Sequence, residues 1–152
     1  MKKNLIPKII IALVLVTAVL AAVHLATRPA EEAGAIQITC SGKTVSVPLS
    51  KLPLQDVSAT VVNGKGEEKT IEGKGTPLSE ALAQAGVDLT TAQQVTVSAS
   101  DEFSAILTAQ EAAEGGRAYL MQEEGKERPR LVVTGDPDSK RQVKDVARIE
   151  VE

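Results

Sequence analysis

The stretch KIIIALVLVTAVLAAVHLATR, residues 8–28, constrains this chain more than any other feature. Its apolar run, Ile9–Ala26, is broken only by Thr17 and His24. A helix rises about 1.5 Å per residue, so such a run just spans a hydrocarbon core of about 30 Å. Lys2, Lys3 and Lys8 lie before it or at its start, whereas the first acidic residues, Glu31 and Glu32, follow it. The positive-inside rule then places residues 1–8 in the cytoplasm of a bacterial cell. Residues 9–26 form a transmembrane signal-anchor, 27–34 a short linker, and 35–152 an extracytoplasmic domain. A cleavable signal peptide is the alternative, since Val19-Leu20-Ala21 offers small residues for cleavage and the domain would then be secreted. A mature N-terminus near Ala22 distinguishes the two.

The exported part is short of rings. Phe103 and Tyr119 are the only aromatics and there is no Trp, so the core must come from Val, Ile, Leu and Ala. Stacking platforms for single-stranded nucleic acid need several exposed rings and are excluded. From Arg28 onward, 14 basic residues face 20 acidic ones, a net of −6. That sign repels phosphate backbones, so no nucleic-acid partner is expected.

Cys40 is the single cysteine. It lies well beyond the apolar run and follows Gln37-Ile38-Thr39, which is not the setting of a lipidated cysteine. One cysteine forms no intramolecular disulfide. It alternates in step with Ile36 and Ile38, so a packed thiol on their apolar face is expected, ahead of a reactive thiol or a metal ligand.

Ala35–Cys40 and Thr44–Val47 alternate around Ser41-Gly42 and predict a hairpin. Val57, Ala59 and Val61 share one face of a third strand, and Asn63-Gly64-Lys65-Gly66 turns it into a fourth, Glu68–Glu72. The period then changes. Leu78, Ala81, Leu82 and Ala85 form a helical stripe, with Thr76 as its cap, Pro77 at its first position and Gly86 as its left-handed stop. Strand patterns return at Gln94–Ala99 and Phe103–Leu107. Thr108 and Glu111 have the spacing of a capping box, predicting a short helix to about Glu114. Arg117–Gln122, Arg130–Thr134 and Val146–Val151 complete the strands. The expected fold class is α+β, a mostly antiparallel or mixed sheet with one clear and one short inserted helix.

In series, several motifs resemble a known family. They are Gly75-Thr76-Pro77-Leu78 with Leu82 and Ala85-Gly86; Val95–Asp101; Tyr119-Leu120-Met121; Pro129-Arg130-Leu131-Val132-Val133; and Val143-Lys144-Asp145-Val146 leading to Ile149 and Val151. The region from about residue 44 to 152 is similar to the molybdopterin-binding domain of sulfite oxidase-type oxidoreductases. The resemblance implies that fold and a molybdopterin cofactor. It also places the metal-ligating cysteine of a C-x-G-N-like turn at Thr60, where Asn63 fits the pattern and a neutral hydroxyl replaces the thiolate. The family's Asp-Gly-Tyr-like turn reads Asp101-Glu102-Phe103, and residues 28–152 contain no histidine. Asn63, Asp101 and Arg130, carried over from family positions, are the candidate pocket rim.

Other constellations are weaker. The chain's one histidine, His24, lies in the apolar run, so the exported domain holds no Ser-His-acid triad and no Cys/His zinc cluster. Asp136-Pro137-Asp138-Ser139 lacks the rest of a calcium loop and reads as a polar turn. Gly73-Lys74-Gly75-Thr76 lacks the full phosphate-loop pattern and reads as turn plus cap. Adjacent acids such as Glu67-Glu68 and Glu123-Glu124 point to opposite faces or into solvent. The expectation is therefore a non-catalytic binding domain for a small molecule or an envelope protein, with no bound metal. A molybdopterin-dependent oxidoreductase subunit and a purely structural envelope module are the alternatives.

Overall fold

Residues 5–27 and 34–152 are described in a computed structural model, without the side chains of residue 5 and residues 24–27. The chain divides into two compact units, Met1–Glu31 and Glu32–Glu152. The first is the helix α1, Leu5–Thr27. It begins earlier than the apolar run and takes in Pro7. Proline is tolerated in a first turn because its missing N–H would have no intrahelical partner there. Ile6–Val23 is long and apolar enough to cross a membrane, and none of that span is buried in protein. Thr17 turns its hydroxyl back to donate to the Leu13 carbonyl at 2.7 Å, which satisfies it without an outside partner.

The second unit is α+β. Its strands are β1 (Ala35–Cys40), β2 (Lys43–Pro48), β3 (Gln55–Val62), β4 (Glu68–Pro77), β5 (Gln94–Ala99), β6 (Ser104–Thr108), β7 (Ala118–Met121), β8 (Arg130–Val133) and β9 (Val146–Val151). Helices α2 (Leu78–Gln84) and α3 (Ala109–Ala113) are inserted, and Leu49–Lys51 makes a single 3-10 turn. One sheet has the order β2-β1-β9-β5-β6 and the other β3-β4-β7-β8. Among the described residues only β1 and β9 run parallel, with Gln37 opposite Arg148 and Cys40 opposite Val151. The remaining pairs are antiparallel.

Alternation explains the layers. Ile36, Ile38, Val95, Val97, Ile149 and Val151 point inward and meet Leu120, Leu131 and Val133 of the second sheet and Leu78 and Leu82 of α2 in one cluster. Neighbours of opposite parity, Met121 and Val132, face the other way and join Val57, Ala59 and Val61 in a smaller second cluster. Both faces of the β7–β8 ribbon are thus apolar, which is why Leu131, Val132 and Val133 are buried in succession.

The turns follow local chemistry. Ser41 and Gly42 both have positive φ, 51° and 77°, as the two-residue hairpin loop between β1 and β2 requires. Thr108 and Glu111 form the expected capping box, with Thr108 Oγ1 accepting from the Glu111 N–H at 3.1 Å. The other expected cap is corrected. Thr76 is a fully buried residue at the end of β4, Pro77 precedes the helix, and no side chain caps it. The strand pairing of Thr76 with Leu120 outweighs capping because it also satisfies the backbone. Gly73-Lys74-Gly75-Thr76 is accordingly extended strand rather than turn. At Gly75 a Cβ would meet the Leu120 carbonyl oxygen at 3.0 Å, so the glycine serves close strand contact.

Candidate functional site

The β5–β6 turn, the start of β8 and the β8–β9 loop converge on one hollow of about 330 Å³. Asp101 and Phe103 come from the turn, Arg130 from β8, and Ser139, Gln142 and Lys144 from the loop. Asp101 folds the turn by accepting from the Phe103 N–H at 3.1 Å. Arg130 and Lys144 also line an adjoining hollow of about 500 Å³, with Glu72, Glu123 and Lys126. The Arg130 guanidinium lies 3.6 Å from Glu123, outside hydrogen-bond range, and its buried Nε has no partner. The guanidinium is thus held in a loose ion pair with Glu123 at the edge of both hollows.

Of the three residues expected at a pocket rim, Asp101 and Arg130 line the same hollow. Asn63 does not line it. Its side chain is spent on its own turn, accepting from the Lys65 and Glu67 N–H groups and donating to the Glu67 carboxylate. Thr60 is exposed on β3, opposite Thr70, and its hydroxyl faces away from the buried Val57, Ala59 and Val61.

Cys40 is half-buried against the edge of the main core. Its Sγ lies 3.8 Å from the Ser41 hydroxyl. It lines a separate hollow of about 450 Å³ with Asp88, Thr91, Glu150 and Glu152. That hollow lies at the other end of the large sheet, because β9 meets Cys40 at Val151 and Ala99 at Val146. Five residues of strand separate the two ends by roughly 17 Å.

A cluster missed by sequence reading joins α3 to the β8–β9 loop. Arg141 donates to Glu111 at 2.8 Å and to Asp136 at 2.5 Å, and Arg117 bonds the same two carboxylates at 3.0 and 2.8 Å. Arg117 also donates to the Thr134 carbonyl, and Arg141 to the Ile106 carbonyl. Hydrogen bonds from Arg141 hold the Glu111 carboxyl far below the usual carboxylate range, helped by the Thr108 N–H and Arg117. The Arg141 guanidinium is raised in turn, first by Asp136 and then by Glu111. The four groups answer one another, so the cluster fastens the loop that carries Ser139, Gln142 and Lys144. Only the capping-box spacing of Glu111 hinted at it; the partners lie 5 to 30 residues apart.

The sheet order and the hollow invite comparison with solved structures. The chain is similar to the sulfane dehydrogenase SoxCD from Paracoccus pantotrophus, with 17% identity and a TM-score of 0.63. The match covers 82% of this chain and 39% of that one. The fold is sulfite oxidase-like. No family model matches the sequence, and no curated protein does. The chain spans well under half of the structure it resembles, so what they share is a domain.

The sequence resemblance implies a molybdenum–pterin group, and the donor set can be compared with it. The sequence resemblance expects a soft thiolate at position 60. Thr60 is an exposed neutral hydroxyl there, and the chain's thiol, Cys40, belongs to the other sheet. Among the described residues no three His, Cys, Asp or Glu side chains are grouped to hold a metal. At the position that the resemblance assigns to the ligand, the side chain is thus a neutral hydroxyl rather than a thiolate.

Proposed function

We propose that this chain is a membrane-tethered, extracytoplasmic binding domain that uses the sulfite oxidase-like scaffold without molybdenum chemistry. The observation that carries this reading is the exposed Thr60 at the position where the family resemblance places a thiolate. The groove around Asp101, Arg130 and Lys144 is the binding surface, with Arg130 as its anchor and the β8–β9 loop as one wall. Small molecules and envelope proteins are both candidate occupants of such a groove.

Metal analysis of protein extracted from its own membrane tests the proposal. No molybdenum above the background of a Thr60→Ala variant is expected, and stoichiometric molybdenum refutes the reading. A second reading, an oxidoreductase subunit, draws on one feature: two cations, Arg130 and Lys144, line the same two hollows. It predicts fluorescent pterin after oxidative release, which the binding-domain reading does not.

A further inference from the structure

We propose that the β3–β4 turn is a self-modification site at which the folded protein converts Asn63 to aspartate and isoaspartate. This is independent of what the groove binds.

The reaction needs a backbone nitrogen free to attack the side-chain amide carbon of the preceding residue. Asn63 is followed by Gly64, which is exposed and adds no side chain to crowd the approach. The turn hydrogen bonds run from Gly66 N–H to the Asn63 carbonyl at 3.0 Å and from Asn63 N–H to the Glu67 carbonyl at 2.8 Å. They leave the Gly64 N–H uncommitted. The electrophile is prepared in the opposite sense. Asn63 Oδ1 accepts from the Lys65 N–H at 2.9 Å and from the Glu67 N–H at 3.0 Å. Two backbone donors on one carbonyl oxygen polarise it and stabilise the negative charge that attack would place there, as an oxyanion hole does. The same bonds hold the side chain folded over the turn, which reduces the entropy cost of ring closure.

In the step itself, the Gly64 nitrogen bonds to Asn63 Cγ and the Cγ–Nδ2 bond breaks. The proton from Gly64 N–H leaves with the amine as ammonia, and a five-membered succinimide remains. Water then opens either ring carbonyl, giving aspartate or isoaspartate; nothing is oxidised or reduced. The product changes the turn. Asn63 Nδ2 donates to Glu67 Oε2 at 3.0 Å, and afterwards two carboxylates meet where a hydrogen bond had been.

The test is peptide mapping by mass spectrometry after prolonged incubation of the full-length, detergent-solubilised protein at mildly alkaline pH. Amide-to-acid conversion at Asn63, with both isomers resolved, is expected to run several-fold faster in the folded protein than in the same protein in urea. Asn4, the chain's other asparagine, precedes the bulkier Leu5 and serves as the internal reference. Gly64→Ala should abolish most of the conversion. It is tolerated by the fold, because the added carbon meets nothing nearer than the Ser139 hydroxyl at 3.8 Å and the position does not need positive φ. An intact Asn63, or conversion no faster in the folded than in the unfolded chain, overturns the proposal.

Discussion

Thr76 shows how one residue can satisfy the chain's pattern and still carry an energetic cost. Its backbone pairs with β7, but its hydroxyl is fully buried and has no hydrogen-bond partner. A buried hydroxyl without a partner costs about 1–3 kcal/mol relative to a paired one. Thr76→Val keeps the β-branched shape and removes the orphan. It should stabilise the domain by about 1 kcal/mol, read as a rise of a few degrees in thermal midpoint; a loss of stability would mean the hydroxyl is paired in solution. Sequence alone suggests a cap here because Thr-Pro before an apolar stripe has the right local chemistry. Tertiary pairing decides otherwise. The same limit applies at the rim: that Asp101 and Arg130 share a hollow depends on positions distant in sequence, whereas Asn63 closes its own turn through Lys65 and Glu67.

At the scale of elements, β6 is an edge strand, and free edges invite pairing with other chains. Two of its outward groups are covered by the ion cluster: Arg141 takes the Ile106 carbonyl, and Glu111 takes the Thr108 N–H. Arg141→Ala leaves Asp136, only 7% exposed, and Glu111 to share Arg117. Loss of such a part-buried partner is expected to cost about 2–3 kcal/mol, with faster amide exchange in β6 and the β8–β9 loop. The cluster also sets the acid response. The folded-state value of Glu111 lies below its ordinary 4.5, so its ionised form favours folding at every pH above that value. The contribution is lost progressively as pH falls below it toward the folded-state value. A Glu111→Gln variant should therefore be less stable than the parent near neutrality and lose the difference below about pH 4.5. A constant gap between the two urea-denaturation curves down to strong acid would refute the assignment. The strands themselves were legible, because alternation of Val, Ile and Ala is local. The parallel β1–β9 contact was not, since it joins the two ends of the domain.

For the whole molecule, the decisive asymmetry is that all basic charge ahead of the apolar helix precedes any acid. In sequence Lys2 and Lys3 precede α1, Lys8 lies near its start, and Glu31 and Glu32 follow its other end. Moving Lys residues across the hydrocarbon core is costly, whereas a folded domain can be translocated largely regardless of its own charge. That physics favours the β domain on the outer side, and it can be checked without knowing any ligand. Lys65, Lys126 and Lys140 are exposed in turns and loops, so trypsin added outside has targets in the folded domain. In intact spheroplasts the domain should be digested, and in inverted vesicles it should be protected until detergent is added. The reverse pattern would place the domain in the cytoplasm and sink the extracytoplasmic reading. A full-length mass in the membrane fraction identifies α1 as an uncleaved anchor, while a chain beginning near Ala22 in the soluble fraction identifies it as a removed signal.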